Sequence, residues 1–582
     1  MSTPRPETQP VARDAVDLLR RHVRARPDEL AVDFAAGWNR LEDALTYSEL
    51  DAWARGIAGQ LLARFAPGSR VIIAEPPGVA FVASFFGCLY AGMIAVPVAL
   101  PRRAGSDEAQ RFGHVAQDSG CAAILAPAPV AERLAGFPEL ASLIRSRWLD
   151  RDEADAPAAE PLQPDPEQIA FLQYTSGSTG APKGVMVRHR NIVHNAHRIM
   201  ARCRLDAQSR ALIWLPHFHD LGLIGGILAP LYTGFPTTLM SPMQFAKRPL
   251  EWLRLISRGG YTISGGPNFA FRLCLERFEP DELDGVDLSR WSCAFNCAEP
   301  IDPHTVRTFA STFEPWGFRA EAMYPCYGMA EATLTVSSNV GPRPLVVFDA
   351  DAERLDTRGQ VSPARRGARR RSLVGVGQAA PDQMIAIVHP VTLTELDEQQ
   401  VGEICTADDS VTAGYWERPE ESRNMFLRLP GRPFLKFLRT GDLGFIAERE
   451  LFITGRLKDL IIVDGRNLHP EDLEATVRAG ADVSAALGVV AFSVERANSG
   501  EAVIIVLEIE RSRTVVPDQL VSQVRAALST RHEVSASEVL LVRAGQIPRT
   551  TSGKVRRREA KALYENGAFH PAPAVGTASP DV

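Results

Sequence analysis

The stretch Tyr174-Thr-Ser-Gly-Ser-Thr-Gly-Ala-Pro-Lys-Gly-Val185 sets three glycines, four hydroxyl side chains and a lysine between two apolar runs, a combination suited to gripping phosphate. Glycines let backbone N–H groups approach an anion, hydroxyls add uncharged donors, and Lys183 supplies a point charge. The order is not that of the common P-loop, which wants G-x-x-x-x-G-K-[ST] running into a helix, because here Pro182 precedes the lysine and Gly184 follows it. The glycines alone fit a serine- and threonine-rich linker as well. The flanks favour a tight loop, since Ile169-Ala-Phe-Leu-Gln173 and Val185-Met-Val187 read as strands entering and leaving a hairpin. Other groups able to hold a nucleotide, a cation or a proton lie in Leu215-Pro-His-Phe-His-Asp220, Cys297-Ala-Glu-Pro300, Tyr327-Gly-Met-Ala-Glu331, Arg439-Thr-Gly-Asp442, Gly455-Arg-Leu-Lys-Asp459 and Ile547-Pro-Arg-Thr-Thr-Ser-Gly-Lys554. Each is weak by itself: Glu331 fits a surface or helix-start carboxylate, Glu299 a buried turn glutamate, Lys458 a surface lysine, and Lys554 a solvated lysine in a flexible turn.

The elements that must position these groups alternate. Tyr47 to Leu62 has helical spacing of apolar residues, and Arg70-Val-Ile-Ile-Ala74 is a buried-strand run. Phe81 to Tyr90 is apolar all round and ends at Gly92, as expected of a helix beneath a sheet, before the strand Ile94-Ala-Val-Pro-Val98. The same alternation returns after residue 110 and between 211 and 340, which is the grammar of an α/β protein with sheets covered on both faces. Three stretches break it: 151 to 166, rich in proline, alanine and acidic residues, reads as an exposed linker; 349 to 372, with Arg365, Arg366, Arg369, Arg370 and Arg371, as a polar insertion, either a solvated loop or a functional patch; and 566 to 582 as a disordered tail.

A chain of 582 residues is too long for one core and suggests two to four domains. The net charge of -6 gives no reason to expect nucleic acid as a partner. The N-terminus has no apolar signal core, no uncharged run reaches about 18 residues, and no membrane span is expected. Eight scattered cysteines without a histidine pair near Cys293 and Cys297 point to buried cytoplasmic thiols and not to a zinc site.

Taken in order, the loop and the six further segments resemble the adenylate-forming superfamily of acyl-CoA ligases, luciferases and peptide-synthetase adenylation domains, over residues 47 to 558. The resemblance implies a large N-terminal domain, 1–457, of layered α/β subdomains plus a small β-barrel-like subdomain, and a small mobile α+β C-terminal domain, 458–565. It implies ATP and Mg2+, with Thr175, Ser176, Gly177, Ser178, Thr179, Gly180 and Lys183 cradling the β,γ-phosphates and Glu331 as the magnesium ligand. Ala298, Glu299 and Pro300 would form the adenine turn, Tyr327 would stack on the base beside Gly328 and Met329, and Asp442 would accept both ribose hydroxyls with Arg456 as its partner. Lys554 would bridge the substrate carboxylate and the α-phosphate, His219 would join it as a catalytic residue, and Lys458 would be the hinge about which the C-terminal domain turns.

Within the superfamily, Trp214 to Gly226, Ser264 to Ala270, Ala330 to Leu334, Gly455 to Gly465 and the insertion resemble the fatty acyl-AMP ligases, which pass an acyl group to the phosphopantetheine arm of an acyl carrier protein of polyketide or nonribosomal peptide synthases. A fatty acyl-CoA ligase is the alternative, and an inactive nucleotide or acyl sensor a more distant one. An alkyl chain contributes about 0.8 kcal/mol per buried CH2, so an apolar tunnel is expected. Its candidate walls are Gly225, Gly226, Leu231, Gly265, Phe269 and Met329, each of which fits core packing equally well.

Overall fold

The helix Tyr47–Leu62 forms where the spacing predicts, and its start is fixed by a reciprocal cap: Glu49 N–H donates to Thr46 Oγ1 at 3.2 Å, and Thr46 N–H donates to the Glu49 carboxylate at 2.8 Å. Its Leu50, Ala54, Ile57 and Leu61 turn inward, onto the largely apolar helix Val79–Tyr90. A Cβ at Gly87 would fall 2.5 Å from the Ile57 side chain, so this glycine is what lets the two helices meet closely. The computed structural model describes residues 12–37, 40–153, 157–175, 181–463, 466–480, 486–496, 500–509, 516–549 and 554–571.

The architecture is mixed α/β. An eight-stranded sheet runs in the order Thr335–Ser338, Met323–Gly328, Cys293–Asn296, Ile263–Gly266, Ala211–Ile213, Thr237–Met240, Leu30–Gly37, Arg40–Thr46, parallel inside and antiparallel at both edges. A six-stranded sheet runs Trp148–Asp150, Ala123–Ala126, Arg70–Ile73, Ile94–Pro97, Ile169–Thr175, Lys183–Arg188, with the last pair antiparallel. One continuous core, including Phe81, Phe85, Trp252 and Trp291, lies between the layers. An antiparallel sheet built on Met384–Val388, Gly402–Ala407, Phe426–Leu429, Arg432–Ala447 and Glu450–Arg456 follows. The C-terminal segment is built on the strands Ala486–Arg496, Gly500–Ile509 and Glu538–Arg543, with helices Pro470–Gly480, Pro517–His532 and Arg557–Glu565, and it has its own cores on the two faces of that sheet. Among the described residues, no helix is long and apolar enough to cross a membrane.

Three stretches differ in part from their sequence reading. Residues 157–162 are largely exposed, as expected of a linker, but they are tethered: Ala159 N–H donates to Arg55 O at 3.0 Å and Leu162 N–H to Tyr90 O at 2.8 Å, seating the segment on the two helices above. The insertion is not a plain loop. It forms the strand Val347–Asp351, the helix Ala352–Arg358 and the antiparallel strand Arg370–Val374, anchored by buried Leu355, Val361 and Leu373 against Phe445 and Phe452. Residues 566–571, assigned to the tail, are packed: Phe569 is buried and Pro571 bridges to Val542. Residues 572–582 lie outside the described residues.

Candidate active site

Lys183 opens the second strand of the predicted hairpin, opposite Thr175. Ser176, Gly177, Ser178, Thr179 and Gly180 lie outside the described residues. The segment around Tyr415 adds to this strand's edge, with Met186 N–H donating to Gly414 O at 2.9 Å and Trp416 N–H to Gly184 O at 2.8 Å. That pairing brings the Glu421 carboxylate into contact with the Lys183 ammonium, which also lies 5.5 Å from the Tyr415 ring centre.

The strand Cys293–Asn296 ends in the turn of Ala298, Glu299 and Pro300. Ala298 has φ 72°, a left-handed conformation that costs an alanine about 1–2 kcal/mol and that the surrounding fold must impose. Glu299 accepts the Phe269 N–H, tying the turn to the helix Asn268–Glu276, and burial pushes its carboxyl pKa up. On the neighbouring strand, the Tyr327 hydroxyl donates to Asp442 Oδ2 at 2.6 Å, while Arg456 Nε donates to Asp442 Oδ1 at 3.0 Å from the facing register position. Gly441, at φ 74°, sits at a register irregularity of the strand Arg432–Ala447 immediately before Asp442. Two independent donors therefore fix one carboxylate at the rim of the cleft.

At the centre, Glu331 is held by the Tyr415 hydroxyl at 2.7 Å, and burial raises its pKa. Asp220 pairs with His219 Nδ1 and accepts the Leu221 N–H at 2.7 Å. Burial works against its charge, yet His219 and Lys554 hold its carboxyl below the usual range. Lys554, delivered by the C-terminal segment, is lowered by burial and by Arg456, while Asp220 and Glu299 favour its ammonium form. Thr175, Lys183, His219, Ala298, Glu299, Pro300, Tyr327, Gly328, Met329, Glu331, Asp442, Arg456, Lys458 and Lys554 all line one cleft of about 2590 Å³.

Of the candidate apolar walls, some line the cleft and some pack beside it. Phe269 and Met329 line the cleft, whereas Gly225, Gly226, Leu231 and Gly265 do not. Gly226 and Gly265 are small because neighbours occupy the space: an added Cβ would lie 2.7 Å from Ile213 and 2.1 Å from Phe295 O. Leu231 is a core residue, and Gly225 sits behind Leu221 and Leu334, which do line the cleft. Asp220, Tyr415 and Glu421 are site groups that the sequence reading missed. Asp220 was legible as the neighbour of His219 in a motif already singled out, but Tyr415 and Glu421 reach the site only through strand pairing.

These features define a large cleft in an α/β protein, with the Lys554 side chain brought to it by the C-terminal segment. The chain belongs to the AMP-binding enzyme family, which it matches over residues 19–416. It is 38% identical over 565 residues to the medium-chain-fatty-acid–[acyl-carrier-protein] ligase JamA of Moorena producens, covering 95% of each chain. It is 36% identical to the long-chain-fatty-acid–AMP ligase FadD26 of Mycobacterium marinum, covering 96% of this chain and 98% of that one. A fatty acyl-adenylate ligase from L. pneumophila, solved in complex with acyl adenylate and pyrophosphate, superposes with a TM-score of 0.74 at 34% identity, over 96% of this chain and 97% of that one.

Proposed function

We propose that this protein adenylates a fatty acid with ATP and then passes the acyl group to the phosphopantetheine thiol of an acyl carrier protein. The observation that carries the reading is the convergence of Lys554, Glu331 and Asp442 on one cleft, in a chain whose relatives are named as fatty-acid–AMP and acyl-carrier-protein ligases. A carboxylate does not acylate a thiol directly, because oxide would have to leave. In the first step the carboxylate oxygen attacks the α-phosphorus and the bond to pyrophosphate breaks. In the second, the thiol sulfur attacks the acyl carbon, loses its proton, and AMP departs. Lys554 stabilises charge at the α-phosphate, Asp442 orients the ribose, and Lys183 and the hairpin loop hold the outer phosphates, since such displacement is mostly positioning and charge stabilisation.

Glu331 fits Mg2+: it is a half-buried hard-oxygen donor whose pKa is raised by desolvation and by neighbouring Asp220, and a magnesium site of this kind uses one or two carboxylates completed by phosphates. When bound, the ion would neutralise phosphate charge. Residues 1–457 and 458–565 act as two domains, the second turning about Lys458 to withdraw Lys554 before the thiol enters. The eight cysteines, none in a disulfide, suit the cytoplasm.

The test is acyl-AMP formation across a series of fatty-acid lengths, followed by challenge with CoA or a holo carrier protein. Acyl-carrier yield well above acyl-CoA yield is expected. Efficient acyl-CoA synthesis would make this an acyl-CoA ligase, and no acyl-AMP with any acid would overturn the reading altogether.

A further inference from the structure

The seven arginines in residues 349–372 differ in their surroundings. Arg369 and Arg371 turn toward the C-terminal segment: Arg369 pairs with Asp356 and donates to Arg531 O at 3.1 Å, and Arg371 Nε lies 2.8 Å from Asp472. Arg370 between them points the other way, as strand alternation requires, and its side chain is 62% exposed. Arg354 and Arg358, one turn apart on the helix Ala352–Arg358, and Arg365 and Arg366 on the connection, are exposed as well. None of these four makes an ion pair among the described residues. The nearby carboxylates are partly committed: Asp349 accepts from Ser372 and faces Arg370, and Asp351 caps the helix by accepting the Arg354 N–H at 3.2 Å. The result is a cationic face on a chain of net charge -6. It borders the cleft, since Ala352 and Asp356 of the helix Ala352–Arg358 line it together with exposed Arg531.

We infer that the exposed arginines Arg354, Arg358, Arg365 and Arg366 form a docking surface for the carrier protein, an acidic partner whose thiol arm hangs from a phosphodiester. This rests on the carrier-acceptor reading given above. The position supplies the argument: a partner held at this rim has the mouth of the cleft beside it, and complementary charge raises the encounter rate and selects the partner. The negative charge of the whole chain disfavours an extended polyanion as the occupant.

The test is a variant carrying Arg354→Gln, Arg358→Gln, Arg365→Gln and Arg366→Gln, none of which belongs to the catalytic machinery. Fatty-acid-dependent ATP–pyrophosphate exchange should be unchanged, which also reports an intact fold. The KM for a holo carrier protein should rise about tenfold at low ionic strength, with the difference from wild type vanishing at high salt. Transfer to free pantetheine should match wild type. An unchanged carrier KM, an equal loss with pantetheine, or a loss confined to binding of anionic vesicles would overturn the assignment. A wild-type protein that acylates no carrier at all would instead overturn the proposed function.

Discussion

Arg371→Ala removes the side chain that joins the insertion to the C-terminal segment. Arg371 Nε lies 2.8 Å from Asp472 Oδ2, and its terminal nitrogen donates to Thr454 O at 2.6 Å, with 11% of the arginine side chain and 28% of the aspartate exposed. Burial lifts the Asp472 pKa to about 6 even with the guanidinium beside it, so the carboxylate is already poorly solvated. Stripping one partner from a buried pair costs about 3–5 kcal/mol if nothing moves. Water reaching Asp472 takes up part of that, and about 1–2 kcal/mol should remain, shifting the balance away from the docked pose about 5- to 30-fold. Hydrogen exchange in the helix Pro470–Gly480, measured near pH 8 where Asp472 is ionised, should accelerate by that factor, and limited proteolysis around Lys458 should follow it. The sign of the pH dependence is fixed. The docked pose holds the proton more tightly than an exposed aspartate, so it is favoured as pH falls through about 6, and wild type and variant should converge there. Unchanged exchange at pH 8 would refute the latch.

Asp220→Asn can still accept from His219 and Leu221 but loses the charge that faces Lys554, so adenylation should fall at least about tenfold, the equivalent of one pKa unit of charge interaction. Because that carboxylate favours the ammonium form, the alkaline limb of the exchange reaction should move to lower pH in the variant; identical limbs would rule out this role. Gly441→Ala forces an alanine to φ 74° at a cost of about 1–2 kcal/mol, which should raise the Kd for AMP, measured by calorimetry, about 5- to 30-fold. An unchanged Kd would mean that the backbone before Asp442 relaxes without loss.

How much of this was legible depended on where the physics is local. The cap and apolar spacing of Tyr47–Leu62, and the strands flanking the glycine-rich loop, were readable because neighbours in sequence create them. The fold of the insertion is not legible in the sequence because its three anchors, Leu355, Val361 and Leu373, are diluted among arginines and find their partners, Phe445 and Phe452, far along the chain. Gly226 and Gly265 show a related limit: a small residue signals that something is close, and the fold places Ile213 and Phe295 there. The described motif residues line one cleft, yet the link from Tyr327 to Asp442 exists only once the antiparallel sheet stands against the eight-stranded one, and that from Tyr415 to Glu331 only once the Tyr415 segment pairs with the edge of the six-stranded one.

The central claim is that Lys554 serves adenylation from a segment that then withdraws. Its most direct test measures both half-reactions on Lys554→Ala: fatty-acid-dependent ATP–pyrophosphate exchange, and transfer from supplied acyl-AMP to a holo carrier protein. Exchange should fall by about 10²–10³ or more, the scale for losing a group that stabilises transition-state charge, while transfer persists. Near-normal exchange, or equal loss of both half-reactions, would contradict the account.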